Sequence, residues 1–290
     1  MLRVTRAVLL VVQAAIALLV SCPRAVACDD RTPCEVANGQ YFVRAPEGWD
    51  GATALPTVVF FHGYRSSARE IMDDADLSRE MSAAGALLVA PDGFDRSWSI
   101  PGRLAHGRDD IAFVRSVVAD IERRYPVDKR RLLASGFSAG GFIVWAIACG
   151  AGDLFSAYAP VAGAFLDPIP GDCPSGPVSM RHIHGAADAT VPMRGRWIAG
   201  GRVKQSDVEA SVARLRALDG CPDPPTSVTR QGELACRAWS AYACSTGKEI
   251  VLCMHQDGHK VEAGWVADSL RWLSALPATA RRSGVAAERR

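Results

Sequence analysis

A buried strand, a glycine-flanked serine and an apolar helix follow one another between residues 131 and 148, and few folds accept that order. Arg131-Leu132-Leu133-Ala134-Ser135 runs into Gly136-Phe137-Ser138-Ala139-Gly140, and Gly141-Phe142-Ile143-Val144-Trp145-Ala146-Ile147-Ala148 follows. A turn this tight between strand and helix leaves no room for side chains two residues either side of the serine, hence the glycines. It lifts the Ser138 hydroxyl above a sheet edge and points the Ala139 N–H into the same space. A bare Gly-x-Ser-x-Gly string arises by chance. Its position between strand and helix makes it a nucleophile elbow, and the chain a candidate serine hydrolase.

Such an elbow takes its partners in the chain order serine, acid, histidine. Of the six histidines, only His255 and His259 lie in the last part of the chain. His255 ends the apolar run Ile250 to Met254 and reads as structural. His259 lies beyond it, in the polar turn Gln256-Asp257-Gly258-His259-Lys260, and is the candidate base. Asp188 is the candidate acid, because it follows the strand-like Val178 to His184 and the turn Gly185-Ala186-Ala187. Loops after strand C-termini are where open α/β sheets collect functional groups. Of the other aspartates of this region, those at 153, 167, 172, 207, 219 and 223 flank a predicted helix or sit in turn-rich stretches and read as caps, and Asp257 is too near His259 in sequence to be its partner.

A second strand end completes the site. Leu55 to Phe61 is a buried-strand run, and His62-Gly63-Tyr64 follows it. The Tyr64 N–H would join that of Ala139 as an oxyanion donor. His62 comes too early in the chain for the base and reads as a residue that holds the turn. His182 and His184, at i and i+2, could ligate a metal, but packing beneath the Asp188 loop accounts for them better. No metal and no cofactor are expected.

The N-terminus reads as an export leader over residues 1–27, with Arg3 and Arg6, an apolar stretch from Ala7 to Val20, and Ala25-Val26-Ala27 as cleavage site. Leu19-Val20-Ser21-Cys22 supports a rival reading in which Cys22 carries a lipid anchor. The apolar stretch is too short for a transmembrane segment. Either route leaves eight cysteines, an even set in an exported chain, and disulfides are expected. Cys28 would pair with Cys34, Cys149 with Cys173, and Cys221, Cys236, Cys244 and Cys253 among themselves. A net charge of +2 gives no reason to expect nucleic acid as partner. Residues 28–276 read as one domain, and 277–290 as a solvated tail.

Strands and helices alternate along the chain, which predicts a mostly parallel sheet covered on both faces. Helices are expected over about 67–84, 111–124, 207–218 and 261–276, the third opened by a capping box at Ser206-Asp207-Val208-Glu209. Two stretches, Gly163 to Pro177 and Met193 to Gln205, are placed to border a substrate pocket. The second carries Arg194, Arg196, Trp197, Arg202 and Lys204, a rim suited to an acidic or aromatic substrate or simply solvated. Trp98, Trp197 and Trp265 are candidate pocket walls.

These residues together resemble the polyhydroxybutyrate depolymerase and feruloyl esterase group of secreted α/β-hydrolases. The likeness is carried by Phe61-His62-Gly63, Ala90-Pro91-Asp92-Gly93 with Trp98, Asp109-Asp110, Val127-Asp128 and the elbow. Phe155 to Gly163, His184-Gly185 with Asp188, Val191-Pro192 and Gly258-His259 continue it, from about residue 39 to 273. The resemblance implies the α/β-hydrolase fold, a triad of Ser138, Asp188 and His259, and an ester substrate. Members often carry Gly-Gly-Gly-His followed by Trp-Pro-Gly, where this chain has Gln256 to Glu262, and a cysteine where Tyr64 stands. Those departures bear on the substrate. Feruloyl or acetyl esters of plant polysaccharide are expected first, with hydroxybutyrate oligomers as alternative; a peptidase or a non-catalytic binding protein are the rivals.

Overall fold

The computed structural model describes residues 28–105 and 107–280. The leader over 1–27, the lipidation alternative at Cys22, His106 and the end of the expected tail lie outside the described residues. In chain order the strands are β1 (Cys34–Val36), β2 (Gly39–Arg44), β3 (Leu55–Phe61), β4 (Leu87–Pro91), β5 (Val127–Phe137), β6 (Ala157–Val161), β7 (Met180–Gly185), β8 (Trp197–Ile198), β9 (Val203–Lys204), β10 (Ser227–Gln231), β11 (Leu234–Trp239) and β12 (Ile250–His255). The helices are α1 (Ala68–Asp73), α2 (Ala75–Ala83), α3 (Asp110–Arg124), α4 (Ala139–Gly150), α5 (Val208–Leu218) and α6 (Ala263–Ala275).

Ten strands form one sheet in the order β1-β2-β4-β3-β5-β6-β7-β12-β11-β10, and β8 and β9 make a small separate hairpin. From β4 across to β12 every pairing is parallel, and antiparallel strands extend both edges. All seven residues of β3 are buried, as a parallel strand covered on both faces requires. The pleat then sorts its side chains. Val59 and Phe61 join the core with α3, α4 and α5, while Val58 and Phe60 join the core with α1, α2 and α6.

Several local expectations are corrected. The helix expected over 67–84 is two helices, because Asp74 leaves the helical region and its carboxylate accepts from the Leu77 N–H, opening α2 afresh. Helix α5 is capped by Asp207, which accepts from the Ala210 N–H, rather than by Ser206. The Ser206 hydroxyl is instead turned to the Asp167 carboxylate. β10 was not expected; it pairs with β11 through the turn at Gly232. The expected tail starts later than Pro277: Ala280 is buried, and its carbonyl accepts from the Ser179 hydroxyl at 2.8 Å.

Four disulfides join Cys28 to Cys34, Cys149 to Cys173, Cys221 to Cys244 and Cys236 to Cys253. The last links directly opposed residues of β11 and β12. Such cross-links belong to an oxidising compartment.

Candidate active site

The strands β3, β5, β6, β7 and β12 lie side by side and parallel, so their C-terminal ends share one sheet edge. His62-Gly63 follows β3, Ser138 follows β5, Asp188 follows β7 and His259 follows β12. Topology alone therefore brings together Ser138 and His259, which stand 121 residues apart in sequence.

Ser138 sits at φ 58°, ψ −115°, a strained conformation for a residue with a Cβ. Such a geometry costs about 1–3 kcal/mol and persists only where its surroundings enforce it. Here the Ser138 N–H donates to the Val161 carbonyl at the end of β6, and the Ser138 carbonyl accepts the first bond of α4 from Phe142. Glycines let the helix come this close. A Cβ on Gly140 would lie 1.9 Å from the Phe61 carbonyl oxygen, and one on Gly141 would lie 2.6 Å from that of Val161.

The Ser138 Oγ is 2.9 Å from His259 Nε2, and His259 Nδ1 is 2.7 Å from Asp188 Oδ2. The other Asp188 oxygen accepts from the N–H groups of Thr190 and Val191, each at 2.8 Å. Its side chain is fully buried, whereas that of His259 keeps 20% exposure. The two loops are tied by backbone bonds from Ala186 to the His255 carbonyl and from Ala187 to that of Asp257. Gly185 allows that contact, since a Cβ there would lie 2.5 Å from the carbonyl oxygens of both Asp257 and Gly258. Phe137 lays its ring beside that of His259, with centroids 4.5 Å apart and the planes tilted by 34°.

The remaining histidines among the described residues hold the frame. His62 accepts from the Gly93 N–H at Nε2 and donates from Nδ1 to the Gly63 carbonyl, joining the turns after β3 and β4. Burial holds its pKa below the ordinary value. His182 and His184 are bonded to each other at 3.0 Å, and His184 Nε2 donates to the Val191 carbonyl. Burial lowers both pKa values, so this neutral pair props the loop whose Val191 N–H holds Asp188. His255, the other late histidine, is buried against Trp265.

Two cavities, of about 480 and 510 Å³, meet at Tyr64, Ser138 and Thr190. His259 lines the first, with Phe60, Ile71 and Val261. Ala139, whose N–H opens α4, lines the second, with Trp98, Phe142 and Leu166. Of the expected aromatic walls only Trp98 is one, held by its indole N–H bond to the His62 carbonyl. Trp197 is exposed and lines neither, because in the β8–β9 hairpin it alternates with Arg196 and Ile198, which do line the second cavity. Trp265 belongs to the core, with Lys260 over its ring. Thr190 and Phe137 were not singled out in the sequence; the x position before the elbow serine was the available signal for Phe137.

A mostly parallel sheet with helices on both faces, an elbow after β5 and partners after β7 and β12 decide the architecture. The fold is that of the α/β-hydrolases. Among solved structures the chain is similar to acetyl xylan esterase from Aspergillus awamori, with a TM-score of 0.60 at 14% identity, over 82% of this chain and 94% of that one. It is also similar to the feruloyl esterase module from Clostridium thermocellum, with a TM-score of 0.54 at 14% identity, over 86% and 90% of the two chains. In sequence it is 31% identical over 200 residues to "Putative esterase NocK" of Nocardia uniformis subsp. tsuyamanensis, covering 66% of this chain and 55% of that protein. It is 24% identical over 237 residues to feruloyl esterase B of Piromyces equi, covering 77% of this chain and 43% of that protein. The chain thus spans about half the length of the curated relatives it matches. It is similar to a feruloyl esterase-like group. No family model matches the chain.

Proposed function

We propose that this α/β-hydrolase is an exported serine carboxylesterase in which Ser138 is the nucleophile, His259 the general base and acid, and Asp188 the group that orients the imidazole. The observation that carries the reading is the unbroken series Asp188–His259–Ser138, with hydrogen bonds of 2.7 and 2.9 Å, at the junction of two cavities.

His259 Nε2 takes the Ser138 proton as Oγ adds to the ester carbonyl carbon, and the carbonyl π pair moves to oxygen. Asp188 accepts from Nδ1–H, which leaves Nε2 the basic nitrogen and stabilises the imidazolium. The N–H groups of Ala139 and Tyr64 receive the oxyanion; removing one such donor typically costs about 10²–10³ in rate. As the C–O bond to the alcohol breaks, imidazolium returns the proton to the departing oxygen. Water, activated by the same imidazole, then cleaves the acyl-enzyme and regenerates Ser138.

For substrate we propose hydroxycinnamoyl or acetyl esters of plant polysaccharide. The names of the similar proteins support that choice, as do apolar and aromatic walls beside Ser138. The four disulfides support export.

Ser138→Ala is expected to abolish nearly all turnover of methyl ferulate and acetylated xylan, and labelling by a fluorophosphonate, without lowering the melting temperature. A folded variant that keeps a tenth or more of the wild-type rate would overturn the assignment. Hydroxybutyrate oligomers belong in the same comparison, and a preference for them would redirect the substrate while keeping the chemistry.

A further inference from the structure

Within that esterase reading, the second cavity has a chemistry of its own. Trp98, Phe142 and Leu166 give it apolar walls beside Ser138. Arg196, Arg202 and Gln205 add polar lining, and among the described residues no carboxylate lines it. Neither guanidinium has an ion-pair partner among the described residues; Arg202 bonds only to the Ala199 carbonyl through Nε. The other cation of the hairpin, Lys204, is already paired with Asp167.

The hairpin holds these groups on one face. Arg196 and Gln205 stand opposite each other, with the Gln205 N–H donating to the Arg196 carbonyl at 2.8 Å. Continuing the register Trp197↔Lys204 and Ile198↔Val203 by one pair puts Arg196 on the face of Ile198, away from Trp197. Gly195, at φ 68°, lets the strand end pack there: a Cβ would fall 1.9 Å from the Gln205 carbonyl oxygen. Gln205 is 4% exposed, and its Oε1 is buried with no hydrogen-bond partner. A buried amide without a partner is rare and calls for a ligand or another explanation. The amide nitrogen, at the other end of the group, offers two N–H donors to an anion.

Which half of an ester enters this cavity follows from the proton path. The leaving alcohol must face His259, and His259 lines the first cavity and not the second. The acyl group therefore lies in the second. We infer that this cavity accepts, besides a hydroxycinnamoyl group, acyl groups with an apolar body and a terminal carboxylate, so that the enzyme also hydrolyses half-esters of dicarboxylic acids, whose free carboxylate is held by Arg196, Arg202 and Gln205. The reaction consumes water and the half-ester and yields the alcohol and the dicarboxylate, with no other reactant.

The test compares the 4-nitrophenyl half-ester of adipic acid with 4-nitrophenyl hexanoate, which replaces the terminal carboxylate by a methyl group. The expected preference in kcat/KM for the adipate half-ester is about tenfold, the scale of a charge-assisted contact discounted for solvent. It should shrink as salt is raised. In the double variant Arg196→Gln, Arg202→Gln the ratio should fall to about one. Titrating Ser138→Ala with monomethyl adipate and with methyl hexanoate reads the same contact without turnover, and the adipate half-ester should bind more tightly through the same arginines. Equal rates and equal binding for the pair would overturn the inference while leaving the hydrolase intact. Arginine-dependent binding of the adipate half-ester with no ester hydrolysed would keep the site and refute the esterase reading.

Discussion

The contact that most sharply tests how the elbow is built is the one between Gly140 and the end of β3. A Cβ at Gly140 would lie 1.9 Å from the Phe61 carbonyl oxygen and 2.5 Å from its carbon, whereas ordinary contact begins at 3.4 Å. The difference, 3.4 − 1.9, requires a shift of about 1.5 Å between backbone atoms, not a side-chain adjustment. Helix α4 has little room to retreat, because Gly141 already sits against the end of β6. Overpacking of this kind costs about 1–3 kcal/mol where side chains can yield, and backbone cannot, so about 3 kcal/mol is expected for Gly140→Ala. For a chain of this size that is roughly 6–12 °C in melting temperature. If the helix moves instead, it carries Ser138 with it, and a displacement near 1 Å costs about 10² in rate. The assay pairs a thermal melt with fluorophosphonate labelling of Ser138. Gly264→Ala is the control: it lies in α6 with open space where the Cβ would go, and should be neutral or stabilising by up to about 1 kcal/mol. Wild-type melting and labelling rate together in Gly140→Ala would refute the close-approach argument.

Three further outcomes are expected. Asp188→Asn should lower kcat by about 10⁴ with a near-native melt, since an amide can still accept from Thr190 and Val191 but favours the wrong imidazole tautomer; a loss under tenfold in steady-state rate would count against its role. Burial pushes the Asp219 carboxyl from 3.8 up to about 7, so the native state keeps its proton longer than the unfolded chain. The stability from this group is complete below the unfolded value of 3.8 and is lost as pH rises through about 7. Asp219→Asn should therefore gain about 1–3 kcal/mol relative to wild type at pH 8 and little at pH 4, read from denaturant melts at both pH values. Replacing Cys236 and Cys253 by alanine opens a cross-link over 17 residues and should cost about 3 kcal/mol, measured by calorimetry; an unchanged melt would deny the bond a stabilising role.

Much of the site was legible because its local requirements leave marks in short strings. The elbow needs glycines around Ser138, and a late histidine in a polar turn can only be useful at a loop tip. Cap placement was less legible, because Ser206 and Asp207 both suit an N-cap and only the pull of Asp167 on the Ser206 hydroxyl separates them. Asp74 interrupts an otherwise continuous helical pattern for a similar reason, a carboxylate that serves the backbone better as a cap. The aromatic walls were misread where burial and strand parity decide. Trp197 is one residue out of phase with the cavity-facing Arg196 and Ile198, and no composition argument fixes that phase.

By itself the chain determined the alternation of strand and helix, the tight turn around Ser138, the order in which Asp188 and His259 follow it and the even set of cysteines. Each depends on chemistry within a few residues or on simple counting. Only the tertiary structure decided that β5, β7 and β12 stand near enough to join Ser138, Asp188 and His259, that Gly185 lets two loops touch, and that two cavities meet at the serine. Those outcomes depend on strand order and on backbone approaches of a few tenths of an ångström. Such distances are set by how whole layers pack, and a string of residues carries them only through the fold it produces.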